Sequence, residues 1–275
     1  MEDELGDRMK LYERENTPSV MPKDKPIVAR LDGRGFSRFT KGMNRPYDSK
    51  MSSCMSNTAY HLIEHTGADV AYTQSDEITL IWMSLEKGEM WFGGKLQKLV
   101  SNLASQTTLT FNQQIKWIGD NWENSFTEYL KRNPTFDARV WFVPNPTEAT
   151  NVLWWREKDA SRNAISMAAM AQFSHKELHQ KSSDDKLKML EEAGVDFEQY
   201  PEFFTKGVYY VREKVKRKLT ISEVDELPLE HHARLNPDMV IERNVIKQIT
   251  SPFPFPLVSL RPVVEKLFKT DHAKQ

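Results

Sequence analysis

The order of strand and helix signals along the chain predicts an α+β fold, a βαββαβ core followed by further helices and a β-ribbon. Three observations carry that expectation. The first strand signal, IVARLD at 27–32, leads into a capped helical stretch rather than into a hairpin. Two more, DVAYT (69–73) and ITLIWM (78–83), are separated only by the turn-forming QSDE, so they pair as a hairpin. A second long helical stretch then precedes ARVWFVP (138–144), a strand that Pro144 and Pro146 stop.

Each element has its local reason. Residues 2–15 predict a short amphipathic helix, with Leu5, Met9 and Tyr12 on one face, ended by Pro18, Pro22 and Pro26. Asp48 is a good N-cap for a helix whose apolar face holds Met51, Met55, Leu62 and Ile63, and Gly67 is its natural stop. The second helix runs from about Gly94 to Ile118, with Leu96, Leu99, Val100, Leu103, Phe111 and Ile115 near helical spacing. Beyond Pro146, residues 149–181 predict one long helical stretch, and Ser183 caps a short helix ending at Gly194. GVYYVR and KRKLTIS predict a β-ribbon over 207–222, and SPFPFPLVSLRP (251–262) an extended surface segment. The expected organisation is a catalytic core over 1–148 and an extension over 149–275 packed on it as one compact unit.

Topology turns this order into a site. Right-handed crossovers leave a gap beside each first strand, giving the spatial order 4-1-3-2 of the split βαβ unit found in ferredoxin-like and polymerase-palm folds. The first and third strands are then antiparallel neighbours, so Asp32 at the end of one lies beside Asp76 and Glu77 at the start of the other. Carboxylates gathered on one sheet edge suit hard divalent cations, which prefer oxygen ligands.

Composition narrows the class without choosing a partner. The chain has 275 residues, 39% of them hydrophobic, which is enough for a substantial core. Apolar runs fall far short of the roughly 20 residues that span a bilayer, and the acidic start MEDELGDRMK is unlike a secretory or mitochondrial presequence. A lone cysteine, Cys54, excludes an internal disulfide framework and a Cys-rich zinc site. It reads as a small apolar helix residue, and the chain as soluble and cytoplasmic. The formal net charge of −1 means that any polyanion must be held by local basic patches.

Within RLDGRGFSRFT (30–40), Gly33 and Gly35 free the backbone to approach a ligand, and Arg30, Arg34 and Arg38 can meet phosphate oxygens. Neither G-x-G-x-x-G nor G-x-x-x-x-G-K-[ST] occurs, so nucleotide binding has to rest on metals and side chains. His175 and His179 share a helical spacing without a third ligand and read as surface residues, and His231-His232 gives no better signal. Lys206, Arg212, Lys214, Lys216, Arg217 and Lys218 surround Tyr209 and Tyr210, a pattern that suits either a nucleic-acid surface or a solvated ribbon. The seven tryptophans read mostly as core.

LDGRGF followed by YTQSDE, then ASQ (104–106), FDARV (136–140), WREKDASRN (155–163) and FFTKGVYYVR (203–212), resembles the histidine-tRNA guanylyltransferase family and its guanylyltransferase-like branch. The matched segments keep the family order over residues 27–212. The resemblance implies a 3′-to-5′ nucleotidyltransferase acting on tRNA, with ATP, GTP and other nucleoside triphosphates as ligands and a homo-tetramer as assembly. It implies two magnesium ions held by Asp32, the Gly33 carbonyl and Asp76, with Glu77 beside them as a further catalytic acid. Arg30, Arg45, Lys95 and Lys98 are similar to the family's triphosphate-binding residues. Ser75 and the glycine-arginine segment through Gly33, Arg34, Gly35 and Phe36 join the nucleotide site, and Asp159 and Asn163 are expected to place substrate. Members that add an untemplated G carry H-I-N-N-L-Y-N after an acidic position. Here Asp159 is followed by A-S-R-N-A-I-S, with Ser161 where that histidine falls, which favours template-dependent repair of tRNA 5′ ends. The alternatives are addition of G to histidine tRNA, a nucleotidyl cyclase or forward palm polymerase, and a non-catalytic RNA-binding protein.

Overall fold

In the computed structural model, residues 20–83, 90–236 and 239–249 are described. The expected helix at 2–15 and extended segment at 251–262 lie outside them. Six strands, β1 (Ile27–Gly33), β2 (Val70–Gln74), β3 (Glu77–Trp82), β4 (Phe136–Phe142), β5 (Val208–Lys218) and β6 (Val240–Ile249), form one sheet in the order β4-β1-β3-β2-β5-β6. Every adjacent pair is antiparallel. The first four strands stand in the order that right-handed crossovers require.

Helix α1 (Phe36–Phe39) follows β1 directly. Helices α2 (Ser49–Thr66) and α3 (Leu96–Asn121) cover one sheet face, and their Met55, Leu62, Leu103 and Phe111 meet Ala29, Leu31, Ile78 and Leu80. Asp48 starts α2 by accepting from the backbone N–H groups of Lys50 (3.0 Å) and Met51 (3.1 Å), and Gly67 ends it at φ 70°. Helix α4 (Pro146–Gln172) covers the opposite face. Asn145 caps it, Pro146 occupies its first turn, and its Ala149, Leu153 and Ala160 lie against Val28, Tyr72 and Ile81.

Several boundaries differ from the sequence expectation for local reasons. The long helix stops at Gln172 rather than near 181, because the Glu177 carboxylate accepts from the Ser174 N–H (2.8 Å) and hydroxyl (2.6 Å), a local closure that competes with helix. His175 and His179 therefore lie exposed in turns and share no helix face. Ser182, one residue early, caps α5 (Ser183–Glu192) with a complete capping box to Asp185. The ribbon is the larger correction. KRKLTIS is not a return strand: β5 runs on to Lys218, and its partner is β6, reached after α7 (Ile221–Glu226) and a short helix His232–Leu235. A four-residue helix, α6 (Glu202–Thr205), precedes β5.

Tyr209 and Tyr210 are both buried, on opposite faces of β5, so neither is free to stack on a base. The Tyr209 hydroxyl donates to buried Glu157 at 2.6 Å. Arg212 caps the C-terminal end of α2, donating to the Ala68 carbonyl (3.0 Å) and to that of Ile63. Among the tryptophans Trp82 is buried, while Trp117, Trp122 and Trp155 are exposed. Cys54 is buried as expected, and burial pushes its thiol up to about 12. No helix among the described residues is long and apolar enough to cross a membrane.

Asp69, just before β2, accepts from the Met83 N–H at 2.7 Å, and burial pushes its carboxyl up to about 6. The folded chain thus holds this proton more tightly than the unfolded chain, whose Asp titrates near ~3.9. The resulting stabilisation is complete below about pH 4 and is lost as pH rises through about 6, a change of about 2–3 kcal/mol. Urea unfolding between pH 4 and 7.5 is expected to show this downward slope in the wild type, and Asp69→Asn to flatten it. Parallel curves for the two proteins would refute the assignment.

Candidate active site

The sequence-predicted residues divide by where the sheet ends. Asp32 closes β1 with Glu77 directly opposite on β3 and Asp137 opposite on β4. Directly opposed residues in a ladder project to the same face, so these three carboxylates share the face that α4 covers. Asp76 sits in the β2–β3 turn, and its carbonyl accepts from the Gly33 N–H at 3.0 Å, which joins the two strand ends. Burial raises the Asp76 carboxyl above the usual range, and the Asp32 charge adds to the rise. Gly33 is required sterically: a Cβ there would stand 2.3 Å from the Phe36 ring. Phe36 itself is buried against Phe39, Phe111 and Phe136 and forms part of the floor of the site.

Glu77 has a different environment. Its two oxygens accept from Arg156 of α4, Nε to Oε1 at 2.6 Å and Nη2 to Oε2 at 2.8 Å, with both side chains buried. Burial pushes Glu77 up and the Arg156 guanidinium pulls it back. Arg156 also donates to Asp159 (2.6 Å), which takes a second bond from Arg162 at 2.8 Å. Glu77 and Asp159 are thus held in an ion-pair network, whereas Asp32 and Asp76 make no ion pair among the described residues. Arg30 lies 3.9 Å from Glu77, and its buried Nε has no hydrogen-bond partner.

A cavity of about 510 Å³ opens beside Asp76. Gly35, Arg45, Ser75 and Asn163 line it, together with Tyr47, Asp48, Phe203 and Phe204, which the sequence did not single out as site residues. Tyr47 stands edge-on to Phe203, with ring centroids 5.2 Å apart. Ser75 is held at φ 48° and its hydroxyl donates to Asp76 at 3.1 Å. Arg34 is exposed next to the acidic edge. Lys95 and Lys98 occupy the start of α3 and line neither this cavity nor its neighbour. Arg156 was the main omission. It lies inside WREKDASRN, but a lone arginine in a helix gives no sign of burial until the helix is docked.

A cation fits this edge by its donor chemistry. Among the described residues no three His, Cys, Asp or Glu side chains converge as a complete cage. With Glu77 tied to Arg156 and Asp137 within 3.7 Å of Arg139, the carboxylates of Asp32 and Asp76 remain, both hard-oxygen donors, and their mutual repulsion is of the kind a dication relieves. Magnesium is commonly bound by one or two carboxylates with substrate phosphates completing its shell.

The family model for tRNAHis guanylyltransferase matches residues 6–144. The chain belongs to that family. An uncharacterised protein of Acanthamoeba polyphaga mimivirus is 31% identical over 68% of this chain and 70% of its own length. Among solved structures, a bacterial tRNA(His) guanylyltransferase-like protein in complex with ATP is similar at TM-score 0.67 and 31% identity, covering 76% of this chain and 87% of that one. A bacterial guanylyltransferase-like protein in complex with GTP covers 97% of this chain and 100% of its own, at TM-score 0.67 and 25% identity. Membership places the chain among the nucleotidyltransferases.

Proposed function

We propose that the chain is a palm-type, magnesium-dependent 3′-to-5′ nucleotidyltransferase that extends tRNA 5′ ends against a template. The observation that carries this reading is the pair Asp32 and Asp76, free of ion pairs among the described residues, with Asp76 lining a cavity that also holds Arg45. Family membership supplies the reaction class, and the ATP- and GTP-bound relatives supply the nucleotide chemistry.

On this reading Asp32, Asp76 and the Gly33 carbonyl would hold magnesium, which when bound would supply Lewis-acid stabilisation of charge on the phosphates. Arg30 and Arg45 hold the triphosphate, and the Ser75 hydroxyl orients Asp76. Tyr47 and the phenylalanine pair enclose the nucleoside and keep water from it. With a triphosphorylated acceptor, the 3′-hydroxyl of the incoming nucleotide gives its proton to solvent and its oxygen bonds to the 5′ α-phosphorus. The bond from that phosphorus to the bridging oxygen breaks, and pyrophosphate leaves with the electron pair. Glu77 anchors Arg156 rather than a cation. A template chooses the base by pairing, so the site needs no base-specific pocket for the incoming nucleotide.

Incubation with labelled GTP and a 5′-truncated, triphosphorylated tRNA is expected to lengthen the 5′ end by the nucleotides the opposite strand encodes. Growth at the 3′ end or a cyclic nucleotide product would overturn this reading. Addition of a single G irrespective of the opposite base would favour the histidine-tRNA activity, which the A-S-R-N-A-I-S stretch after Asp159 argues against.

A further inference from the structure

Helix α6 is a single turn, and a single turn has little stability of its own. It nevertheless supplies part of the cavity wall through Phe203 and Phe204, while Ala160, Asn163 and Ala164 of α4 line the cavity as well. Contacts outside the turn therefore set where that wall stands. Its C-terminal carbonyls are the handle, since the last carbonyls of any helix lack partners within it. The Ser161 hydroxyl of α4 donates to the Thr205 carbonyl at 3.0 Å, and the Tyr72 hydroxyl of β2 donates to the Lys206 carbonyl at 2.6 Å.

Both donors are themselves fixed. Tyr72 is only 1% exposed, and its ring lies 4.5 Å from that of Tyr209, whose hydroxyl is tied to Glu157 of α4. The chain leaves α6 through Gly207 at φ 84°, where a Cβ would stand 2.7 Å from the Tyr72 hydroxyl and 2.6 Å from the Thr73 carbonyl. Only glycine permits so close an approach, which seats the end of α6 on β2. Ser161 stands between Ala160 and Asn163 on α4, so its bond joins the α4 lining to the α6 lining of one cavity. Neither Ser161 nor Tyr72 lines that cavity itself.

We propose that Ser161 and Tyr72 are positioning residues for the incoming nucleoside: by holding the Thr205 and Lys206 carbonyls they fix the Phe203–Phe204 wall at the spacing that fits it. This rests on the proposed placement of the nucleoside in the cavity. The triphosphate is assigned to the acidic edge and the arginines, not to α6. Loosening the wall therefore weakens binding of the whole nucleotide and spares binding of its triphosphate part.

The affinities of GTP and of inorganic triphosphate, measured by calorimetry with magnesium present, separate these two parts. Ser161→Ala and Tyr72→Phe each remove one hydroxyl and are expected to raise Kd and KM for GTP about fivefold, the scale of one hydrogen bond. Together they should raise both at least about twentyfold, as two bonds acting on one wall. Affinity for inorganic triphosphate, and kcat at saturating GTP on a triphosphorylated tRNA, should stay within about twofold, the pattern of lost binding without lost chemistry. Ser161→Thr keeps a hydroxyl donor and should keep GTP affinity within about twofold. Equal losses of GTP and triphosphate binding, a fall in kcat with KM unchanged, or full GTP affinity in the double variant would overturn the proposal. Ser161→Ala decides alone if Tyr72→Phe fails to fold. Phe203→Ala tests the cavity itself. If it leaves GTP affinity unchanged, the placement of the nucleoside fails; if it weakens GTP binding while the hydroxyl variants do not, only the positioning role fails.

Discussion

Asp76→Asn is expected to lower nucleotide addition at least about a thousandfold, equivalent to about 4 kcal/mol of transition-state stabilisation, while leaving the protein as stable as the wild type or more so. The two effects have opposite signs for one reason. Asp76 is raised by burial and by the charge of Asp32, so its ionised form is a liability to the fold unless a cation is present. Asparagine has the same shape, and its Oδ1 can still accept from the Ser75 hydroxyl that now donates to Asp76. The backbone bond from Gly33 to the Asp76 carbonyl does not involve the side chain. Removing the charge therefore relieves the repulsion with Asp32 and removes one of the two carboxylates proposed to hold magnesium. Single-turnover addition to a triphosphorylated acceptor, with thermal melting in divalent-free buffer, measures both arms. Turnover near the wild-type rate would end the metal assignment. A marked fall in melting temperature would instead make Asp76 a structural residue.

What the sequence could reveal followed the range of the interaction. The meeting of Asp32 with the QSDE turn was readable because it depends only on strand order and crossover hand, and both follow from local strand and helix signals. The β5–β6 pairing was not readable. Residues 219–239 intervene, no turn motif marks the return, and KRKLTIS continues the alternation of a strand past the point where a hairpin would close. Tyr209 and Tyr210 misled for a related reason. Basic neighbours suggested an exposed surface, but pairing with β2 buries both rings, one on each face. Arg156 gives the sharpest contrast with Asp32. An arginine in a helix is ordinary in sequence, and its unusual burial exists only once α4 closes over the sheet.

That closure is what the second large effect tests. Arg156→Met is expected to lower the unfolding free energy by about 3–5 kcal/mol at pH 7, because Glu77 is left ionised and buried without its partner. Both oxygens of Glu77 depend on this one guanidinium, and Arg30 at 3.9 Å is too far to replace it with a hydrogen bond. The loss should be relieved in the double variant Glu77→Gln, Arg156→Met, since removing both charges leaves only one amide to satisfy. Arg156→Lys should recover only part, because an ammonium cannot make the two parallel bonds to Glu77 and also reach Asp159. The deficit also has a required pH dependence. Without Arg156 the folded-state pKa of Glu77 rises further above its unfolded value, so the deficit shrinks as pH falls towards the unfolded carboxyl pKa and is largest at neutral pH. Urea unfolding of the three variants at pH 5 and 7.5 provides the comparison. If the single variant loses less than about 1 kcal/mol, the value of an exposed pair, then the Arg156–Glu77 pair does not clamp α4 to the sheet, and Glu77 becomes free to join Asp32 and Asp76 as a third acid.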